Sequence, residues 1–150
     1  MTQTIDLLSS QHQDVLARLD TVESTLTNGA AATVAGFASF LAGEVGQHFD
    51  LEEQALFPVL ARHIGSDSGP LAVMNAEHAR FRELLADLCA AVRADDSAAQ
   101  HAHAIELIEL LRAHIAKEDH VLFPMAQRLL SPAEHAEVNE RAGGRSAQRV

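Results

Sequence analysis

Histidine and glutamate recur at helical spacing in two apolar stretches of the chain. His48 and Glu52 stand four residues apart, and His114 and Glu118 repeat that spacing further along. A spacing of four places both members of a pair on one face of an α-helix. The other residues on these faces are apolar: Leu41, Val45, Leu56 and Val59 in the first stretch, and Leu107, Leu111, Leu122 and Met125 in the second. The sequence therefore predicts that both His/Glu pairs face the protein interior.

Two further histidines occupy apolar helical faces of their own. His12 lies between Leu8 and Leu16, and His78 follows Met74 by four residues. Four imidazoles and two carboxylates are thus expected in one core, and no lysine on these faces could neutralise the carboxylates. A buried carboxylate is costly unless it is paired or coordinates a metal. Two bridging carboxylates with two imidazoles per ion would remove that cost, and histidine with carboxylate suits iron.

An internal repeat relates the two halves of the chain. A shift of 66 residues superimposes three equivalent features: His12 on His78, His48 and Glu52 on His114 and Glu118, and Leu56-Phe57-Pro58 on Leu122-Phe123-Pro124. Such repeats set the architecture of a fold. Two like hairpins packed about a pseudo-two-fold axis would bring the six polar side chains to one level. A hydrogen-bonded polar cluster without metal is the alternative reading of the same pattern.

The elements that must position these residues are helices, because apolar residues recur at helical spacing almost throughout. Helices are predicted over residues 5–26, 32–64 and 70–93, with a fourth ending near residue 130, and Asn28-Gly29 is the first break. Ser131 and Glu134 form a capping-box pattern that opens a short fifth helix. The predicted fold class is all-α, an antiparallel up-down-up-down four-helix bundle with a short C-terminal fifth helix. The bundle is expected to span residues 1–140, and residues 141–150 to form a flexible tail.

Length and composition set further bounds. The 150 residues match one domain, and their formal net charge of -10 argues against nucleic acid or an anionic membrane as a partner. Cys89 is the only cysteine, so no internal disulfide or cysteine-based zinc site can form. The N-terminus lacks the pattern of a signal peptide, and no stretch is apolar enough to span a membrane. A cytoplasmic location is the expectation.

The pattern of one histidine followed by His-x-x-x-Glu, given twice and each time followed by Leu-Phe-Pro, resembles the hemerythrin-like, or HHE cation-binding, family. The resemblance covers about residues 4–130. It implies a four-helix bundle with an oxo- or hydroxo-bridged pair of iron ions as cofactor. The metal ligands that it implies are His12, His48, Glu52, His78, His114 and Glu118. The ferritin-like di-iron class is less apt, because its Glu-x-x-His spacing is absent from these faces.

The chain departs from the oxygen-carrying hemerythrins at two points. Those proteins have a fifth histidine one turn from the third-helix ligand, where this chain has Met74 and Arg82. They also place the second carboxylate five residues after histidine, which here would select Asp119 or Glu53. The repeat and the apolar faces favour the glutamates four residues after each histidine instead. Arg82 is expected at the surface, although its position would also let it reach a bridging carboxylate.

These departures shape the functional prediction. The protein is expected to bind or react with a small diatomic or peroxide ligand (O2, hydrogen peroxide or nitric oxide), with catalase-like or nitric-oxide-peroxidase-like turnover as one form of that chemistry. The alternative is a non-catalytic iron or oxygen sensor, or a module that stores or donates iron. A manganese or zinc site is a weaker alternative. Phe57 and Phe123 are expected to pack over the metal, and Pro58 and Pro124 to kink their helices.

Overall fold

The computed structural model describes residues 3–26 and 31–147, and every regular element within these ranges is a helix. We number the helices in chain order. They are α1 (Gln3–Leu26), α2 (residues 31–64), α3 (Gly69–Arg93), α4 (residues 97–129) and α5 (Pro132–Ala147). The predicted all-α class is confirmed. The predicted break at Asn28-Gly29 lies outside the described residues.

Helices α2 and α4 are not α-helical throughout. Helix α2 contains π-helical segments at Leu41–Val45 and Glu52–Leu56, and α4 contains one at Glu118–Leu122. The last two segments obey the 66-residue repeat, and each begins at a glutamate of the predicted site. In each, the backbone N–H five residues later, that of Phe57 or Phe123, donates to the glutamate carbonyl. Pro58 and Pro124, which were predicted to kink these helices, follow directly. They lie where each helix changes from π-helical back to α-helical geometry.

The fifth helix begins at the predicted capping box. The Ser131 N–H donates to Glu134 Oε1 at 2.9 Å, and the Glu134 N–H donates to Ser131 Oγ at 3.1 Å. Helix α5 continues to Ala147, past the predicted domain boundary at residue 140. The flexibility of the tail stays a prediction. Within the described ranges, no helix combines the length and apolarity that a membrane span requires.

The helices enclose two apolar clusters. Helix α3 packs along α4, α1 contacts α2 and α4, and α5 packs against α1 and α2. One cluster is centred on Leu19, Phe37 and Leu107, and the other on Leu8, Leu56 and Leu122. Along each helix the predicted His and Glu positions fall between residues of the first cluster and residues of the second. The fold therefore holds one polar layer between two apolar ones.

Candidate metal centre

The structure brings all six predicted ligand residues together. Each is at most 5% exposed, and α1 to α4 all contribute. Their ligand atoms form two groups in which all atoms lie within 4.8 Å of one another. Glu52 belongs to both groups. The first contains His12, His48, Glu52 and Glu118, and the second contains Glu52, His78 and His114.

The first group is compact. His12 Nε2 lies 3.2 Å from His48 Nε2 and 3.1 Å from Glu118 Oε1. Metal–nitrogen bonds of about 2.1 Å place neighbouring ligand atoms of one ion about 3 Å apart. These separations are therefore those of ligands on a single ion. Glu52 Oε2, at 3.7 Å from His48 Nε2, stands beside the same group.

The second group has the same design. His78 Nε2 lies 3.2 Å from Glu52 Oε1, and His114 Nε2 lies 3.4 Å from Glu118 Oε1. Each glutamate thus approaches imidazoles from both halves of the chain: Glu52 approaches one from each half, and Glu118 approaches two from the first half and one from the second. Two carboxylates with contacts of this kind are positioned to bridge a pair of ions.

Several of these buried atoms lack a hydrogen-bond partner. Both carboxylate oxygens of Glu52, one oxygen of Glu118, and the Nε2 atoms of His78 and His114 are unsatisfied. The short His78–Glu52 distance does not have the direction of a hydrogen bond. Buried polar atoms are rarely left in this state, and a place for a bound ion is one of the standard reasons. The donor set of nitrogen and carboxylate oxygen suits non-haem iron.

The second nitrogen of every imidazole is held by a polar side chain. His12 Nδ1 donates to Asp119 Oδ1 at 2.7 Å, and His48 Nδ1 donates to Gln11 Oε1 at 2.8 Å. The second half of the chain has the same arrangement. His78 Nδ1 donates to Glu53 Oε2 at 2.5 Å, and His114 Nδ1 donates to Glu77 Oε1 at 2.8 Å. Such bonds fix the tautomer that leaves Nε2 free for a metal.

These outer partners follow the 66-residue repeat, which our sequence analysis did not use for them. Glu53 corresponds to Asp119, and Gln11 corresponds to Glu77. Asp119 was considered as a minor candidate ligand, and the structure places it on the far side of the His12 ring. Arg82 reaches Glu53 at 3.0 Å and is 47% exposed, so it touches the outer partner of His78 rather than the buried carboxylates of Glu52 and Glu118.

Aromatic rings cover the imidazoles. Phe123 stacks on His12 with ring centroids 5.3 Å apart, and Phe57 stacks on His78 at 5.6 Å. Both rings are buried, as predicted for the Leu-Phe-Pro sequences. Phe49 lies closer still, at 3.8 Å from the His78 ring. These contacts hold the imidazoles in position and exclude water from the polar layer.

The two buried glutamates differ in their ionisation. Burial raises the pKa of Glu52 well above its usual range, and the charge on Glu118 raises it further. Burial also opposes the ionisation of Glu118, but the interactions of its carboxylate with Glu52 and with the surrounding imidazoles outweigh that effect. They hold the pKa of Glu118 well below its usual range. Glu118 approaches three imidazole Nε2 atoms within 3.9 Å, and Glu52 approaches two within 3.7 Å. Without metal, Glu118 is therefore the ionised member of the pair.

The histidines divide in a similar way. Burial lowers the pKa of His78 to about 4, so its imidazole is neutral near pH 7. Burial opposes protonation of His12 as well, but the hydrogen bonds and charges of Glu118 and Asp119 raise its pKa above the usual value. The pKa of His114 is raised for the same kind of reason, through Glu118 and Glu77. In the metal-free centre, protonation is therefore favoured at His12 and His114, the two imidazoles that approach Glu118 most closely.

Comparison with known proteins identifies the class. The Hemerythrin HHE cation binding domain family matches residues 3–126, and the chain belongs to this family. The chain is 35% identical over 107 residues to the iron-sulfur cluster repair protein YtfE of Enterobacter sp. (strain 638), which is 62% of this chain and 46% of that protein. It is 36% identical over 113 residues to YtfE of Yersinia pseudotuberculosis serotype IB (strain PB1/+), or 69% of this chain and 49% of that protein. The chain thus spans about half the length of these relatives, and no solved structure matches it.

Proposed function

We propose that the protein holds two iron ions in its polar layer, within an antiparallel up-down-up-down bundle. One ion would be held by His12 and His48 and the other by His78 and His114. Glu52 and Glu118 would bridge them, with an oxo or hydroxo group completing the pair. The observation that carries this proposal is the buried set of four imidazoles and two carboxylates, in which several ligand atoms lack a hydrogen-bond partner and every imidazole is fixed through its Nδ1. Iron in such a centre would supply redox chemistry towards a small oxidant.

The reaction that this site supports best is the binding or turnover of O2, hydrogen peroxide or nitric oxide. Four histidines and two shared glutamates leave each ion short of six protein ligands, so each could accept an exogenous ligand. The residues of the chain would orient that ligand and limit water, since Phe57, Phe123 and Phe49 line the imidazoles. Raised pKa values at His12 and His114 also provide groups that release protons when iron binds.

A second candidate is iron donation or sensing without turnover. The relatives named above are iron-sulfur cluster repair proteins, which favours a role in supplying iron or in detecting damage. Their full length is about twice the matched region, so the activity of the whole relatives does not transfer directly. Neither nucleic acid nor a membrane is proposed as a partner, since the net charge of -10 opposes both.

The first experiment is the iron content and the visible and near-ultraviolet spectrum of protein purified in air. The chain has no Trp or Tyr, so charge-transfer bands of an oxo-bridged pair would stand over little protein absorbance. We expect two irons per chain and bands that disappear on reduction. His114→Ala should lose iron, whereas His120→Ala, an exposed histidine on the same helix, should keep it. Full iron content in His114→Ala would overturn the ligand assignment.

Kinetics separate the two candidate functions. Rapid consumption of hydrogen peroxide or nitric oxide by the iron-loaded protein would favour the enzyme. Release of iron to a mild chelator on reduction, with neither oxidant consumed, would favour the donor. The two outcomes are measured on the same preparation, so the iron content is a shared control.

A further inference from the structure

A groove of about 550 Å³ lies against the outer edge of the His48 ring, on the side of the candidate centre where Gln11 holds that ring. Helices α1, α2 and α5 form its walls. Gln11 and His48, which share a hydrogen bond, line the middle of the groove. The remaining lining residues of α1 and α2 come both before and after this pair along each helix. Asn139 of α5 closes one end, where it accepts hydrogen bonds from the backbone and hydroxyl of Thr4.

The equivalent position in the other half of the chain has a different structure. Leu51 of the groove corresponds to Lys117 in the 66-residue repeat. Lys117 forms an ion pair with Glu77. Glu77 in turn accepts from His114 Nδ1. The ion pair therefore lies beside the outer edge of the His114 ring, where the His48 ring has the groove. Helix α5 is a second difference between the two halves, because it packs on α1 and α2 and so forms part of the groove wall beside His48.

The lining of the groove favours cations and small neutral molecules. Asp14 and Glu44 line the end away from α5, and the side-chain amides of Gln3, Gln11 and Gln47 supply further oxygens. Neither Lys nor Arg is among the described lining residues. Hydrated divalent cations prefer oxygen ligands of this kind, and a negative lining raises the local concentration of cations.

We propose that this groove is the route by which ferrous iron enters and leaves the centre, and that it serves the ion held by His12 and His48. This inference rests on the proposed function, since it assumes two bound ions. It makes the two ions kinetically different even though their ligands are related by the repeat. Gln11 is a positioning residue on this route, because its hydrogen bond holds the His48 ring between the groove and the other ligand residues, and that bond must open for iron to pass.

The test compares two tryptophan variants at repeat-related positions. Gln47 lines the groove and is exposed, and Ala113, its equivalent 66 residues later, is also exposed. Protein loaded with ferrous iron under anaerobic conditions is mixed with 2,2′-bipyridine, and the coloured complex is followed with time. The wild type should release one iron per chain quickly and the other slowly. Gln47→Trp should slow the fast phase about tenfold, because a Trp side chain covers about 150–250 Å² of the groove.

Ala113→Trp should change neither phase, and it controls for the effect of a bulky residue on stability. A second variant, Asp14→Asn with Glu44→Gln, should slow iron uptake about tenfold at low salt and little at high salt, as expected for electrostatic steering. Two irons that leave in a single phase, or equal slowing by both tryptophan variants, would overturn this inference and leave the proposed centre standing. A wild-type protein that binds no iron would overturn the proposed function itself.

Discussion

The sharpest prediction concerns the two buried glutamates in the metal-free protein, where Glu52→Gln should stabilise the fold. Glu52 is fully buried, and both its oxygens lack hydrogen-bond partners. Burial and the charge on Glu118 raise the pKa of Glu52 above the unfolded value of 4.5. The folded chain therefore holds a proton at Glu52 that the unfolded chain releases as the pH rises above 4.5.

The magnitude follows from proton linkage. When the folded state binds one more proton than the unfolded state, the free energy of unfolding falls by about 1.4 kcal/mol per pH unit. The cost of Glu52 is thus absent below pH 4.5, and it grows until the pH passes the folded pKa. Each pH unit above 4.5 therefore adds about 1.4 kcal/mol to this cost until the folded pKa is passed, and an uncharged glutamine would not carry that cost. For a chain of this size each such unit corresponds to about 3–6 °C in Tm.

The repeat supplies a matched control with the opposite sign. Glu118→Gln removes the carboxylate that approaches His12 at 3.1 Å and His114 at 3.4 Å. Because the pKa of Glu118 is lowered in the fold, its contribution is present above pH 4.5 and is lost as the pH falls through the folded pKa. Breaking this buried pair should cost on the order of 3 kcal/mol near pH 6. Both variants should lose iron, so only the metal-free stabilities differ in sign.

The assay is urea denaturation of the three metal-free proteins, followed by far-ultraviolet circular dichroism between about pH 4.5 and pH 7. The difference between Glu52→Gln and wild type should widen steadily with pH. A variant Glu52→Gln that is less stable than wild type at pH 6, or a difference that does not change with pH, would show that Glu52 is not the protonated member. The assignment of charge to Glu118 would then be wrong.

Three further predictions address other parts of the molecule. Asp119→Asn weakens the acceptor of His12 Nδ1, so iron affinity should fall about 10–100-fold, measured by competition with a chelator; unchanged affinity would remove Asp119 from any role at the centre. Burial lowers the pKa of His78 to about 4, so the contribution of His78 to metal-free stability rises between about pH 4 and pH 6.5, with a slope opposite to that of Glu52; the stability of His78→Gln relative to wild type should therefore fall through this range in urea titrations. The guanidinium of Arg62 holds the pKa of Glu137 at about 2, so the contribution of their contact is present above pH 4.5 and lost near pH 2. Glu137→Gln should speed amide hydrogen exchange in α5 near neutral pH, whereas exchange equal to wild type would mean that this contact does not hold α5 in place.

The six polar residues of the centre could be predicted because each lies on an otherwise apolar helical face and recurs 66 residues away. The helices were predictable for the same reason, since α1 and α2 depart from their predicted bounds by only a few residues. The outer partners were not predicted. Gln11 and Glu77 each directly precede a ligand histidine, but they bond to the histidine of a neighbouring helix, namely His48 and His114. Which side chains meet across two helices depends on their packing, which the pattern of one chain does not contain.

The π-helical segments were also missed, because the spacing of His48, Glu52 and Leu56 looks like that of an ordinary α-helix. The segment Glu52–Leu56 has a signal in the apolar run Ala55-Leu56-Phe57, whose three successive residues are all buried. The wider turn of a π-helical segment brings a further residue inward. The proline that follows cannot donate the next backbone hydrogen bond, which makes the wide turn less costly at this point.

The placement of the polar layer explains how a chain of this length can carry so costly a centre. Four imidazoles and two carboxylates lie between two apolar clusters, each of which packs residues from several helices. We expect these clusters to fold the chain without metal, so that the layer stays partly unsatisfied until metal binds. The repeat makes the ligands equivalent, and α5, Gln11 and Lys117 make their surroundings different. A symmetric scaffold would thus present two similar metal positions in different surroundings, and the groove described above lies beside His48.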